Sequence, residues 1–561
     1  MIQSIRVKHE NLETMEKKNL GNMYTNAFRE HWDLDLFSDY GTDVVFKYRD
    51  VAQSVQTLKL MFEKAGLKPG DKIAIYGRNS SKWAKIFLAS MAYGLIAVPI
   101  LPDFKPENVY HIIEHSGSRF LFAQKSLYET LDTTKLKGIE GCIAIDDFSI
   151  LACASDMLKK LSEEGLEMMK GEQVKKEDFS FVERGDEELQ VLSYTSGSSG
   201  FSKGVMIPVR SLYSNIVYGQ EHISLTAGDR IVSFLPMSHV FGLLFEFMFP
   251  VTLGCHTTFL NKTPSPVVLL EAFKNIQPRL ILSVPLVIEK IYKKKLLPTL
   301  QKPVMKILLS IPGVNTILYK KIKAKLVETF GGKFIEIVIG GAALNSEVEH
   351  FFKKIKFPFT IGYGMTECGP LISYAGWEYI KPLSAGQLVD RMEVRIESED
   401  PYNKVGEIQV RGTNVMLGYY KNEEANRNTF TNDGWMKTGD LGIIDRENFI
   451  FIKGRSKNML LGPSGQNIYP EELEARLSNM NYVLECVVVQ RDTKLIAMVY
   501  PDLETMKTDG VAEETLTAIM EENRKGFNTQ VPSYDQLSKI EIVKEEFEKT
   551  PKRNIKRYLY T

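Results

Sequence analysis

The chain has 561 residues, and its 70 lysines and arginines are balanced by 70 aspartates and glutamates, so the formal net charge is zero. That balance gives no reason to expect a polyanionic partner such as nucleic acid. Hydrophobic residues at 44% and charged residues at 25% exclude disorder or a fibrous repeat as the main theme, and length alone suggests about three or four domains of average size.

Along the first third, helical and strand patterns alternate. Apolar residues recur at helical spacing from Tyr48 to Ala65, and Gly66-Leu-Lys-Pro-Gly70 ends that pattern with turn chemistry. A short buried strand is expected at Lys72–Gly77, then a helix through Trp83 and Met91, then a strand at Ile96–Ile100. The apolar stretch from Ile86 to Pro102 is broken by Gly94, Pro99 and Pro102. It is shorter than the roughly 20 residues that span a bilayer, and reads as a buried helix feeding a buried strand. The charged segment from Lys159 to Asp186 is expected to be a solvated connection.

A second series follows, with strands at Ile231–Leu235 and Leu280–Val284 around an apolar helix at Leu243–Val251, and a third holds strands at Ile335–Ile339 and Phe359–Tyr363. Strands alternating with helices predict a parallel, doubly wound sheet. After about Ser384 the pattern changes to short alternating strands around Val394, Gly406–Gly412 and Gly442–Ile452, which predict a small β-rich subdomain. Beyond Gly454-Arg-Ser-Lys457 comes an α+β unit, with helices at Glu471–Leu477 and Glu513–Lys525 and strands at Cys486–Gln490 and Leu495–Tyr500.

The five cysteines, Cys142, Cys153, Cys255, Cys368 and Cys486, have no metal-ligand or CxxC spacing. Such a scattered set is expected to be small buried hydrophobes in a reducing cytoplasm. The N-terminal stretch MIQSIRVKHENLETMEKKN carries no apolar core of the kind a secretory signal needs.

The sharpest chemical signal is Tyr194-Thr-Ser-Gly-Ser-Ser-Gly-Phe-Ser-Lys-Gly204. From Thr195 it packs five hydroxyls, three glycines and one lysine into ten residues, directly after an apolar strand start. Glycines let backbone N–H groups approach phosphate oxygens, hydroxyls donate further hydrogen bonds, and lysine supplies charge. It is not a Walker A loop, in which Gly-Lys is followed directly by Ser or Thr.

This loop resembles that of the adenylate-forming (AMP-binding) enzymes, and further stretches match in order: Leu235-Pro-Met-Ser-His239, Gly340-Gly-Ala-Ala343, Gly362-Tyr-Gly-Met-Thr-Glu367, Thr438-Gly-Asp440 and Gly454-Arg455. The resemblance covers essentially the whole chain. It implies an α/β fold: a large N-terminal lobe, residues 1–456, of doubly wound mixed sheets plus the β-rich subdomain, and a small mobile α+β domain, residues 457–561, hinged at Lys457. It also implies the reaction. A carboxylate attacks the α-phosphate of ATP, pyrophosphate leaves, and a thiol displaces AMP from the acyl-adenylate.

By the same resemblance Thr195, Ser196, Gly197, Ser198, Ser199, Gly200 and Lys203 hold the β- and γ-phosphates. Thr366 bonds the α-phosphate and Glu367 holds Mg²⁺. Asp440 and Arg455 engage the ribose, while Tyr363 and Gly364 lie against the adenine, admitted by Gly341 and Ala342. His239 lines the carboxylate and thiol channel. Ser283-Val-Pro-Leu-Val-Ile-Glu-Lys-Ile-Tyr-Lys293 is similar to a segment of long-chain fatty acid–CoA ligases, and the apolar run Phe241–Gly254 is suited to an acyl tunnel. The expected acid is a medium- to long-chain fatty acid and the expected acceptor coenzyme A, with acyl carrier protein as the competing acceptor. Peripheral membrane contact through N-terminal residues stays open.

One departure stands out. The family ends with G-K-[I/L]-x-R, whereas the tail here reads Thr550-Pro-Lys-Arg-Asn-Ile-Lys-Arg557, placing Asn554 where the lysine belongs. In an extended tail Lys552, Asn554 and Lys556 share one face. Lys552 or Lys556 is therefore expected to stand in for the catalytic lysine. The competing expectation is a member that binds nucleotide and acyl ligands without turnover.

Overall fold

The computed structural model describes residues 19–154, 173–195, 202–262, 264–462, 466–491, 494–549 and 555–560. Two large mixed sheets build the N-terminal lobe. One has eight strands in the order Gly418–Tyr419, Lys203–Pro208, Leu189–Thr195, Ile96–Ile100, Lys72–Tyr76, Phe120–Ala123, Gly141–Ala144, Ile150–Cys153. Its centre is parallel, and the outer pairs at both edges are antiparallel. The other has seven strands in the order Phe359–Ile361, Glu336–Ile339, Leu280–Ser283, Arg230–Ser233, His256–Phe259, Asp35–Asp39, Val45–Lys47, all parallel except the last.

The local reasons are visible in the apolar run that opens this architecture. Ser80 caps the helix Ser81–Tyr93 by accepting from Trp83 N, and Gly94 ends it in the left-handed conformation that a glycine adopts without strain. Eleven of the thirteen helical residues are buried, and the strand Ile96–Ile100 that follows is buried throughout. The run is therefore apolar on all sides because protein surrounds it on all sides. Among the described residues no helix is long and apolar enough to cross a membrane.

The expected β-rich subdomain is an antiparallel sheet in the order Met392–Glu397, Gly406–Gly412, Met436–Ile444, Ile450–Arg455. Beyond it, helices Pro470–Leu477 and Leu516–Asn528 cover a three-stranded sheet of Val483–Arg491, Lys494–Pro501 and Leu537–Ile542. This unit has its own core, including Leu473, Leu477, Val488 and Phe527. Inside it the Glu474 carboxylate accepts from Val488 N at 2.6 Å and from Arg557 Nη2 at 2.6 Å. Burial pushes the Glu474 carboxyl up to about 7, against the pull of Arg557.

Three local expectations need correction. The segment Lys159–Asp186 is not simply a solvated connection. Residues 155–172 lie outside the described residues, but Phe179 and Phe181 beyond them are buried, with rings 5.1 and 5.4 Å from that of Phe28. Two large aromatics outweigh the charges around them. The strand expected at Phe359–Tyr363 divides: Phe359–Ile361 closes the seven-stranded sheet, and Tyr363–Gly364 joins a separate three-stranded one. The apolar helix contains a π-helical turn, Leu243–Met248, between short α-helical ends. The cysteines are all free, and four of the five are buried.

Candidate active site

Four adjacent strands of the seven-stranded sheet end at the segments that carry the motifs. Arg230–Ser233 runs into Leu235–His239, Leu280–Ser283 into Val284-Pro285, Glu336–Ile339 into Gly340-Gly-Ala342, and Phe359–Ile361 into Gly362–Glu367. Because the four strands are parallel, their carboxyl ends open on one side, where parallel sheets bind ligands. Gly341 has φ +89°, a conformation that strains any L side chain. At Gly364 a Cβ would run into the backbone oxygen of Pro370, so that position requires glycine.

The two ends of the phosphate-type loop lie on neighbouring strands of the eight-stranded sheet. The loop joins two antiparallel strands, and the register pairs Thr195 with Lys203, so these two residues flank its mouth. Ser196, Gly197, Ser198, Ser199 and Gly200 lie outside the described residues. On the far side of Lys203–Pro208 the short strand Gly418–Tyr419 pairs through Met206 and Val205. Tyr419 there ties two motifs together. Its hydroxyl donates to Glu367 Oε1 at 2.8 Å, and Lys203 Nζ sits 5.0 Å from its ring centroid. Thr366 and Glu367 open a single 3₁₀ turn and are both buried. One Glu367 oxygen is thus oriented by a phenol while the other is left to accept elsewhere. A carboxylate beside a phosphate-type loop is a hard-oxygen donor suited to Mg²⁺.

The third constellation is built by a β-ladder. Asp440 and Arg455 are cross-strand partners in the β-rich subdomain, and Arg455 Nε lies 2.6 Å from Asp440 Oδ1. The Tyr363 hydroxyl donates to the other carboxylate oxygen at 2.7 Å. Asp440 shows only 5% of its side chain to solvent while Arg455 shows 58%. Burial raises the Asp440 carboxyl above its ordinary range, opposed by Arg455 and the Tyr363 hydroxyl. Burial and then the neighbouring Asp440 push the Tyr363 phenol well up, so it stays a neutral donor. Tyr363 thus ties the strand Tyr363–Gly364 to the β-rich subdomain through the Asp440 carboxylate.

His239 caps the start of the apolar helix: its Nδ1 accepts from Phe241 N at 3.3 Å. Two residues on, the Phe241 ring packs where a Cβ on Gly340 would meet it at 3.2 Å. The apolar helix therefore begins against the glycine loop of the candidate adenine wall.

A residue that sequence patterning did not reveal lies beneath. Glu246, on the π-helical turn, is fully buried and accepts from Phe234 N at 2.9 Å and Leu235 N at 3.0 Å. Burial pushes its carboxyl well up, opposed by the two backbone donors. Asn79 holds the same loop from the other side, donating to Ser233 Oγ and Leu235 O and accepting from Met237 N. Together they fix the path of Leu235–His239 from below. A lone acid within an apolar run was the available signal. Glu246→Gln keeps an acceptor for both N–H groups and is expected to change activity less than three-fold. Glu246→Leu leaves both buried donors unpaired, about 1–3 kcal/mol each, and is expected to lower the melting temperature and raise KM for the acid more than that for ATP. Thermal melts and steady-state kinetics check both.

The tail is placed only in part. Lys552 and Asn554 lie outside the described residues. Lys556 Nζ bonds Glu548 Oε2 at 3.0 Å within its own lobe. Lys457 sits in the 3₁₀ turn Ser456–Asn458 that follows the strand Ile450–Arg455, and nearby Lys453 Nζ meets Glu472 Oε1 at 3.1 Å and Asn458 donates to Glu471.

Comparison with known proteins fits this geometry. The model of the AMP-binding enzyme family matches residues 27–420. The long-chain-fatty-acid–CoA ligase FadD15 of Mycobacterium bovis is 27% identical over 469 residues, covering 78% of this chain and 74% of that protein. The 4-coumarate–CoA ligase 4 of Arabidopsis thaliana is 27% identical over 522 residues, covering 90% and 83%. In fold, the chain is similar to the O-succinylbenzoate coenzyme A synthetase of Bacillus subtilis in complex with AMP, with a TM-score of 0.73 at 21% identity over 96% of this chain and 98% of that one. With the family match spanning residues 27–420, most of its length, this chain belongs to the AMP-binding enzymes.

Proposed function

We propose that the protein is an ATP-dependent, AMP-forming acid–CoA ligase whose acid is a medium- to long-chain fatty acid. The observation that supports this reading is a chain of contacts through three separately built constellations: Lys203 lies over Tyr419, which bonds Glu367, and Tyr363, four residues before Glu367, bonds the Asp440 paired with Arg455. The first step joins an anionic acid to a polyanionic nucleotide, so its barrier is lowered mainly by fixed donors and positive charge.

In this reading Lys203, Thr195 and the loop between them, from Ser196 to Gly200, take the terminal phosphates. Thr366 donates to the α-phosphate. Asp440 accepts from the ribose hydroxyls, with Arg455 beside it. Tyr363, Gly364, Gly341 and Ala342 form the adenine wall. Glu367, held by Tyr419, would ligate Mg²⁺, which when bound neutralises phosphate charge. His239, which caps the apolar helix, would line the path of the acid and then of the thiol.

Among the acids the relatives take, the aromatic run Phe241–Gly254 supports a fatty acid. Burying each CH₂ is worth about 0.8 kcal/mol, so a tunnel there would grip a long chain with no polar contact. Residues 1–456 and 457–561 would act as two lobes hinged at Lys457 in the cytoplasm. Incubation with ATP, Mg²⁺ and either fatty acids of graded length or 4-coumarate, with hydroxylamine to trap adenylates, tests the acid. Addition of CoA or acyl carrier protein then tests the acceptor. Trapped adenylate that rises with chain length and is consumed by CoA is the expected result. Nucleotide binding with no adenylate from any acid would instead establish a binding protein.

The tail gives a sharper expectation. Since Lys556 is already paired with Glu548, Lys552 is our first choice as substitute for the lysine that the family has at Asn554. Lys552→Ala is expected to slow ATP–pyrophosphate exchange by about 10²–10³, the typical loss of one donor at developing charge. Lys556→Ala should slow it less, and Asn554→Lys should restore exchange in the Lys552→Ala background.

A further inference from the structure

The neighbouring site strands Leu280–Ser283 and Glu336–Ile339 are joined by a long crossover whose outer part is a helical hairpin, Pro303–Ser310 and Val314–Thr329. Its surface departs from that of the rest of the molecule in two ways. Val304, Ile307, Ile311 and Ile317 are between 41% and 68% exposed, four large aliphatic side chains facing solvent within residues 304–317. Val304, Ile307 and Ile311 recur at helical spacing, so they form one stripe. Meanwhile residues 293–325 contain nine lysines and no acid, in a chain whose net charge is zero.

The second helix sorts its residues cleanly. Tyr319, Ile322 and Leu326 pack inward, with Lys354 Nζ over the Tyr319 ring at 5.1 Å. Ile317, Lys320, Lys321 and Lys325 face outward. Among the described residues, none of Lys302, Lys306, Lys320, Lys321 and Lys325 forms an ion pair. An exposed apolar stripe is unfavourable in water and unpaired lysines gain little there, so a single partner should satisfy both.

We infer that this hairpin is a docking surface for an anionic phospholipid bilayer, with Val304, Ile307, Ile311 and Ile317 entering the acyl boundary and the surrounding lysines meeting lipid phosphates. Aliphatic insertion with basic side chains reaching back to the headgroups is the chemistry of interfacial helices. Nucleic acid would use the lysines but leave the aliphatic stripe in water, so lipid fits more of the surface. The crossover begins at Val284, whose Cγ1 lies 4.0 Å from where a Cβ on Gly341 would sit, and it returns into the strand that ends at Gly340. If the acid is a fatty acid, as proposed above, the docked bilayer would hold the substrate beside the site.

Co-sedimentation of the full chain with vesicles tests this. At about 0.1 M salt, where screening acts over roughly 10 Å, the protein is expected to bind vesicles containing phosphatidylglycerol at least ten-fold more tightly than pure phosphatidylcholine. Lys320→Glu/Lys321→Glu should weaken that binding ten-fold or more, and Ile307→Ser/Ile317→Ser five-fold or more, with unchanged melting temperatures. Equal binding to both vesicle types, either double variant binding like the wild type, or single-stranded RNA binding as tightly and ignoring the serine changes would each overturn the inference. Turnover of a short, water-soluble acid should be unaffected by all four substitutions. Absence of vesicle binding by the wild-type protein, with turnover retained, sinks the docking surface alone. Vesicle binding by a protein without turnover sinks the ligase reading alone.

Discussion

Asp440→Ala is expected to lower kcat/KM for ATP by about 10²–10⁴ while leaving the fold intact. The carboxylate is nearly buried, one oxygen already accepts from Tyr363 and the other faces Arg455. A pair of ribose hydroxyls donating to it would make two hydrogen bonds to a charged acceptor, each worth about 1.5–3 kcal/mol. Asp440→Asn keeps the shape and one acceptor but loses the charge opposite Arg455, so a smaller loss of about 10–10² is expected, by analogy with removal of one charged partner. Calorimetric titration with AMP, which has the same ribose, should show the same ordering. The pH dependence follows from the direction of the shift. Because burial raises the Asp440 carboxyl, it takes up a proton at a higher pH than a surface aspartate does, and nucleotide affinity should fall on the acid side as the charge is lost. That acid limb should be absent in Asp440→Asn. An unchanged limb in the variant would assign the titration to another group.

Glu367→Gln should divide the reaction differently. Glutamine still accepts the Tyr419 hydroxyl, so the 3₁₀ turn and the neighbouring strand should keep their geometry. What it removes is the negative charge available to a metal. Adenylation measured by ATP–pyrophosphate exchange is expected to fall by about 10²–10³, the range for loss of one preorganised electrostatic partner. AMP binding, which needs no metal, should change less than three-fold. Raising Mg²⁺ should recover part of the rate. A parallel loss of AMP affinity would show instead that Glu367 supports the turn and not the metal. Tyr419→Phe provides the intermediate case, since it keeps the ring beside Lys203 but withdraws the donated hydrogen bond.

The expected site came from the sequence in two ways. The Ser/Gly/Thr loop with one lysine signals phosphate chemistry within a few residues, whereas the Thr-Glu pair and the Asp after Thr-Gly take their expected roles from the family pattern, since alone they read as a helix cap and a turn. The alternation that predicted the large sheets succeeded, like the loop, because its signal is local: strands such as Ile96–Ile100 are short, apolar and bounded by turns. What was not legible depends on partners distant in sequence. Tyr419 becomes important only because an antiparallel ladder sets it beside Lys203–Pro208 and within reach of Glu367. Glu246 reads as an ordinary polar interruption of an apolar helix until the π-helical turn directs it at Phe234 and Leu235. Phe179 and Phe181 were masked by the charges around them, although two buried rings fix that segment more firmly than its charges solvate it. The docking hairpin was missed for the opposite reason. Its apolar residues look like core in a linear reading, and only exposure distinguishes Ile307 and Ile317 from Ile322.

The pairing of Thr195 with Lys203 also bears on how variants of this protein should be interpreted. The loop between them is suspended from a ladder that continues to Leu189 and Pro208, so the sheet does not depend on the loop for its register. Substitutions at 196–201 should therefore leave expression and thermal stability near normal and report on ligand chemistry alone. Gly364 is different, because any side chain there collides with the backbone at Pro370 before it can affect a ligand. In a screen scored only by activity the two positions would look alike, and a stability measurement beside it would tell a damaged nucleotide contact from a damaged fold.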